Sequence, residues 1–220
     1  MSKRKTAYVC SECGAEFARW QGQCTECKAW NTISEFVISS AKQSRGASSG
    51  YAGQTHAKIE KLSEIDLAAL PRFSAGFKEL DRVLGGGIVP GGAMLIGGSP
   101  GAGKSTLLLQ VMCHLAANET ALYVTGEESL QQVAMRANRL GLPDDKLLML
   151  AETNVETICD LARKASPRIM VIDSIQVMHV SDVQSAPGSV SQVRESAAYL
   201  TRFAKQNHIA MFIVGHVTKD

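Results

Sequence analysis

Residues 97–106 read GGSPGAGKST, with Gly98, Gly103, Lys104 and Ser105 at the spacing of a phosphate-binding loop. Glycines let successive backbone N–H groups turn inward around an anion, and a helix starting there adds the positive end of its dipole. Gly98, Ser99, Pro100, Gly101, Ala102 and Gly103 are therefore expected to wrap the phosphate chain of ATP, with Thr106 just inside the helix. Lys104 would reach the β and γ phosphates, and the Ser105 hydroxyl would bind Mg²⁺. Such a loop needs a second carboxylate for the metal at the end of a neighbouring apolar strand. RIMVIDS provides one: four apolar residues at 169–172, then Asp173.

In ALYVTGEESL, residues 121–130, an apolar strand stops at two adjacent acids, Glu127 and Glu128. A carboxylate at that rim can orient or deprotonate water attacking the γ phosphate. The other acid would serve as N-cap or first-turn acid of a helix starting near Ser129. Residue types leave open which does which; Glu127, nearer the strand end, is favoured as the base. The apolar run IAMFIVG ends at His216, followed by Thr218 and Lys219. His216 reads either as a sensor of the γ phosphate that signals to a partner-binding loop, or as a residue that simply caps its strand.

A second chemistry lies upstream, where Cys10 and Cys13 are separated by ten residues from Cys24 and Cys27. Two such pairs suit a tetrahedral four-thiolate Zn²⁺ site, and in a cytoplasmic chain metal is favoured over disulfides. A module this small buries too little apolar surface to fold alone, so the metal supplies much of its folding free energy. Tyr8, Phe17, Trp20 and Trp30 are the large residues nearby, expected to pack over the zinc knuckle in preference to stacking on bases. Cys113 and Cys159 fall on apolar helix faces and read as inert core thiols.

These groups must be positioned by a framework, and the pattern from residue 62 onward predicts one. Apolar runs at 94–97, 121–125, 147–151, 169–173 and 209–215 alternate with helical patterns at 105–117, 129–140, 155–164 and 190–206. Continuously apolar strands are buried on both faces, and alternation with helices predicts an α/β fold with a mainly parallel sheet. Ligands in such sheets bind at the carboxyl ends of the strands. The polar stretch VSDVQSAPGSVSQVRES, residues 180–196, follows no packing pattern and reads as a functional or mobile loop. Arg194, Arg202 and Lys205 beyond it suggest either contact with nucleic acid or a neighbouring subunit, or a solvated helix face.

Composition sets the limits. Of 220 residues, 45% are hydrophobic and 20% charged, as in ordinary water-soluble proteins. No apolar run approaches the roughly 18 residues that span a bilayer, and MSKRKTAYVC carries no apolar signal core, so a cytoplasmic protein without membrane contact is expected. A net charge of +2 is too mild to imply a nucleic-acid partner by itself. Residues 39–58, SSAKQSRGASSGYAGQTHAK, have linker composition. The expected plan is a four-cysteine zinc finger at 1–36, a flexible linker at 37–61 and a P-loop ATPase domain at 62–220.

Taken together, YVCSECG, WQGQC and CKAWNT, then RFSAGFKELDRVLGGGIVPGGAMLIGGSPGAGKSTLLLQ, YVTGEES, VIDSIQ and VGHVTK resemble the bacterial RadA (Sms) DNA repair family. The resemblance runs over essentially the whole chain, and the ATPase part is also similar to RecA, DnaB-type helicases and KaiC. It implies a zinc ribbon joined to a RecA-like ATPase core. It further implies a homo-hexameric ring that drives branch migration on single-stranded DNA and recombination intermediates, with the RecA recombinase as partner. By position, GSPGAGKS matches the Walker A loop and Asp173 the Walker B aspartate. GEES at 126–129 falls where the family has its catalytic glutamate, and Cys10, Cys13, Cys24 and Cys27 match its metal ligands.

Past the position of Asp220 the family continues into a second DNA-binding loop, a Lys-Asn-Arg-Phe-Gly motif acting across the subunit interface, and a Lon-protease-like domain. These 220 residues alone are therefore expected to bind nucleotide weakly and hydrolyse it slowly, with the last strand at an unprotected sheet edge. A KaiC-like signalling ATPase, or a zinc-finger adaptor whose P-loop reports nucleotide state to a partner, are the alternatives. The zinc module and the basic N-terminal part argue against the signalling ATPase.

Overall fold

The computed structural model describes residues 5–38, 61–64, 71–143 and 145–216. Of the linker expected at 37–61, residues 39–60 lie outside the described residues, as do Thr218 and Lys219, while residues 37–38 instead belong to a strand of the N-terminal sheet. The N-terminal stretch forms a small antiparallel sheet of β1 (Lys5–Cys10), β2 (Glu16–Phe17) and β3 (Ile33–Ile38), ordered β2-β1-β3. Its buried core is Cys10, Cys24 and Ile33, with Tyr8, Ala15 and Phe17 packed against it. The tryptophans depart from expectation, since Trp20 is 58% and Trp30 70% exposed instead of folded over the knuckle. Nε1 of Trp20 donates to the Ile33 carbonyl at 3.1 Å, which ties that ring to the start of β3.

The remainder alternates as the apolar pattern predicts. A short α1 (Lys78–Val83) precedes β4 (Ala93–Gly98), α2 (Lys104–Ala116), β5 (Ala121–Thr125) and α3 (Leu130–Arg139). Then follow β6 (Leu148–Ala151), α4 (Val155–Ala165), β7 (Ile169–Asp173), α5 (Val190–Gln206) and β8 (Ala210–His216). The five strands form a parallel sheet in the order β4-β8-β7-β5-β6. Strand side chains alternate between two apolar layers. Tyr123, Val171 and Phe212 join Leu108 and Met112 of α2 and Val133 of α3, while Val124, Ile172 and Met211 join Ile158 of α4 and Leu200 of α5. Each fully buried Ile or Leu here contributes about 1.5–3 kcal/mol, so the two layers hold the central strands rigid beneath their carboxyl ends.

Two expectations are revised. The last strand is internal, paired with β4 on one side and β7 on the other. The sheet edges are β4 and β6, and β4 leaves Leu95 70% exposed although its sequence reads as a buried run. A short apolar run looks the same at an edge as at the centre, because periodicity does not report which neighbour is absent.

The polar stretch before α5 is held at Ser181 by Asn154 and Glu156 of the α4 start, and further along chiefly by Gln192. Gln192 is 2% exposed. It accepts from the Val180 amide at 3.0 Å and donates to the Val183 and Ser185 carbonyls at 2.9 and 3.0 Å. The Ser189 hydroxyl accepts from the Gln192 amide at 3.3 Å and caps α5. Further along the same helix, Arg194 pairs with Glu195 at 3.4 Å on the exposed face.

Candidate active site and metal centre

Strand register brings the sequence-predicted groups to one rim. Gly98 lies opposite His216, and Thr125 opposite Asp173. Past Gly98 the chain turns through Gly101 and Gly103, at φ +77° and +84°, a left-handed conformation that a side chain would strain. Gly103 occupies the N-cap of α2 and offers no side-chain acceptor, so the first helical N–H groups are left for a ligand. Ser105 and Thr106 follow half-buried on the first turn.

Lys104 is only 8% exposed and folds back on its own loop. Its Nζ donates to the Gly98 and Ser99 carbonyls at 2.8 and 2.9 Å and lies 3.3 Å from Nδ1 of His216. An ammonium can only donate, so Nδ1 accepts and the imidazole proton sits on Nε2. Nε2 in turn donates to Oε1 of Glu127 at 3.3 Å. The same carboxylate oxygen accepts the hydroxyl of buried Ser174, the residue after Asp173. Because β7 lies between β5 and β8, Glu127 crosses the end of β7 to meet His216. The result is a continuous polar line from the P-loop lysine through His216 to Glu127.

Glu128 turns elsewhere. Both of its oxygens take the Nη2 of Arg136 on α3, a guanidinium only 16% exposed. Its amide donates to Oγ1 of Thr125 at 3.1 Å, and that hydroxyl donates back to the Glu128 carbonyl at 2.8 Å. Neither acid caps the helix as expected. Ser129 does so, in a reciprocal capping box with Gln132.

Asp173 ends β7 and is 9% exposed, with Oδ2 accepting the Tyr123 hydroxyl at 2.5 Å. Burial, and then the Asp173 carboxylate, push the Tyr123 phenol far above its ordinary value, so it stays a donor. One carboxylate oxygen is thereby fixed.

The four N-terminal cysteines converge, with every sulfur within 4.8 Å of the others. Cys10 and Cys27 are 3.6 Å apart, and Cys13 and Cys24 3.5 Å. Sulfurs tetrahedral about an ion at Zn–S bonds of ~2.3 Å lie roughly 3.8 Å apart, so this donor set fits. Both pairs sit in the same knuckle. The Gly14 amide bonds the Cys10 carbonyl and the Lys28 amide the Cys24 carbonyl, each at 2.9 Å. Gly14 and Lys28, both at positive φ, occupy equivalent positions. Burial opposes the Cys10 thiolate, but the Thr32 hydroxyl and the Cys13 and Glu12 amides outweigh it and bring that thiol down to about 6. The Ala29 amide favours the Cys27 thiolate, yet burial and the other three thiols push Cys27 up to about 12.

Residues 60–220 match the family model described as an AAA domain, and residues 8–35 the one described as a rubredoxin metal binding domain. Curated relatives include DNA repair protein RadA of Haemophilus influenzae, 71% identical over 98% of this chain, and that of Escherichia coli, 65% identical over 98%. The Bacillus subtilis protein of the same name is 46% identical over 100% of the chain. The chain belongs to the RadA family of AAA-domain proteins. It spans about half the length of these RadA relatives, 47% of the first and 48% of the other two. Among the described residues of this RadA-family chain, no helix is long and apolar enough to cross a membrane.

Sequence reasoning missed Tyr123, Ser174, Arg136 and Thr32. Tyr123 did carry a signal: a phenol inside an aliphatic strand must find a partner for its hydroxyl. Arg136 carried none, since nothing local links an acid before a helix to a base two turns inside it.

Proposed function

We propose that this chain is the ATP-hydrolysing and zinc-carrying part of a DNA-processing protein of recombination and repair, acting as a branch-migration or helicase-type motor on single-stranded DNA. The polar line from Lys104 through His216 to Glu127, beside Asp173, is the observation that carries the reading. The RadA names of its relatives supply the DNA-repair context. We assign residues 1–38, through the end of β3, to a zinc finger, 39–61 to a linker and 62–220 to the ATPase domain. A homo-hexamer and the RecA recombinase are the assembly and partner that fit this reading.

In the proposed reaction the amides of residues 98–103 bind the phosphate chain and Lys104 exchanges its two carbonyl partners for β and γ oxygens. Ser105 and Asp173 would hold Mg²⁺, which when bound offsets charge on the γ phosphate. Glu127 takes a proton from the attacking water. Since Lys104 must leave Nδ1 of His216 to reach a phosphate, nucleotide arrival is felt at the end of β8 and at the Glu127 carboxylate together. Gln176, whose Nε2 donates to the His216 carbonyl at 3.2 Å, extends that response beyond β7. Cys10, Cys13, Cys24 and Cys27 would hold Zn²⁺ as a structural ion.

Hydrolysis by the full-length protein, with and without single-stranded DNA at two salt concentrations, tests the motor. Stimulation that weakens as salt rises is expected, because phosphate contacts release counterions. Turnover indifferent to DNA would point to a switch for protein partners. A second expectation concerns Tyr123→Phe, which keeps the ring and deletes the hydroxyl on Asp173. Affinity for a fluorescent nucleotide measured against Mg²⁺ should require about tenfold more metal, while metal-free nucleotide binding stays unchanged. Equal Mg²⁺ dependence in both proteins would remove Tyr123 from the site.

A further inference from the structure

The zinc ribbon carries a feature that its metal does not account for. Both tryptophans of the chain lie there and both are exposed, although neither belongs to the ribbon core. Their rings converge. A Cβ placed on Gly22 would lie 3.8 Å from Cη2 of Trp20 and 3.9 Å from Cζ3 of Trp30, so the two six-membered rings flank a residue with no side chain. Nor are they loosely hung. Trp20 is tied through Nε1 to Ile33, Trp30 pairs with Gln23 in a β-bridge, and the Asn31 amide bonds the Gly22 carbonyl at 2.7 Å.

We propose that Trp20 and Trp30 form a stacking platform for unpaired nucleobases; the inference rests on the DNA reading above and extends it to the ribbon. Ring area favours this occupant over a protein. The two indoles expose together about 300 Å², against roughly 800 Å² on each side of a stable protein interface. Stacking needs only ring faces, and every base presents one. Charge is favourable only beside the rings: the exposed cations Arg19 and Lys28 each lie within two positions of a tryptophan with Glu26 among them, while the ribbon's other acids, Glu12, Glu16 and Glu35, lie outside residues 18–32. Phosphates flanking a stacked base are the natural partners of those cations.

Because the chain has no other tryptophan, its tryptophan emission, excited selectively over its four tyrosines, reports on this platform alone. The experiment titrates fluorescein-labelled oligothymidylate into the zinc-loaded full-length protein, following label anisotropy for binding and, with unlabelled oligonucleotide, emission for stacking. In parallel, the 220-residue chain gives the emission free of any tryptophan beyond it. Quenching that tracks anisotropy and weakens with salt is the expected result. Trp20→Ala and Trp30→Ala should each raise the Kd about tenfold, with Trp→Phe variants retaining most of the affinity and all retaining their zinc. Binding by anisotropy with unchanged emission and unaltered variants overturns the platform while leaving the DNA reading intact. No binding by anisotropy removes the DNA reading and the platform with it. Emission that shifts with protein concentration or on adding a recombinase, and not with oligonucleotide, makes the surface a protein contact and overturns the proposal.

Discussion

Glu127→Gln in the full-length protein is expected to lower ATP turnover by about a hundredfold to ten-thousandfold, the range in which a positioned general base contributes. Nucleotide affinity should stay near that of the parent, because in the proposed reaction phosphate binding falls to the loop amides and Lys104. Glu128→Gln should retain most of kcat. The two acids are adjacent in sequence and share a rim, but their surroundings differ. Glu128 is taken by Arg136, whose Nη1 already lacks a hydrogen-bond partner among the described residues, so losing the carboxylate charge costs stability. That cost is about 1 kcal/mol, since the Glu128 side chain is 37% exposed and solvent screens the pair. Among the described residues Glu127 instead meets groups that can be displaced, the Ser174 hydroxyl and the imidazole of His216. Rapid-quench measurement of phosphate release, with thermal melts alongside, separates the two variants. If Glu128→Gln loses turnover and Glu127→Gln does not, the assignment is reversed and the arginine pair must open during catalysis.

What could be read beforehand, and what could not, divides along the reach of each interaction. The Gly-rich loop, Asp173 and the cysteine quartet are local patterns whose proposed chemistry demands fixed spacing, so residues 98–105 and 10–27 could be picked out, and the structure brings Gly98 and Asp173 to one rim and the four sulfurs together. Helix and strand alternation was equally legible, because burial on two faces leaves long apolar runs such as those ending at Thr125 and Asp173. The lateral order of the strands was not. It placed β8 inside the sheet and thereby put His216 between Lys104 and Glu127, a contact 112 residues long on one side and 89 on the other. Gln192 illustrates the same limit, since one buried amide makes three of the bonds that order a segment whose composition reads as loop. The tryptophans went the other way. Large aromatics are expected inside, and only the structure shows a ribbon whose core is too small to hold them.

That small core sets the other large effect. Cys24→Ser is expected to abolish zinc binding and unfold residues 8–35, leaving the parallel sheet folded. Two of the ribbon's three core residues are themselves proposed metal ligands, and burying Ile33 contributes about 1.5–3 kcal/mol. Ordering each residue costs roughly 1–2 kcal/mol, so apolar burial falls far short and the deficit must be met by the ion, worth about 10–16 kcal/mol in small zinc domains. A serine supplies a harder oxygen in place of the fourth thiolate, and its hydroxyl does not ionise where the neighbouring thiols titrate. Elemental analysis should fall from about one zinc per chain to near zero, and the 8–35 amides should lose hydrogen-exchange protection in step. Cys159→Ser is the control. Burial pushes that thiol up to about 12, it sits on the buried face of α4, far in sequence from the ribbon, and its replacement should leave zinc content unchanged. A ribbon that keeps its protection after Cys24→Ser would mean that side-chain packing, and not the metal, holds it together. The exposed tryptophans would then need a different explanation as well, since a ribbon stable without its metal would have had core enough to bury them.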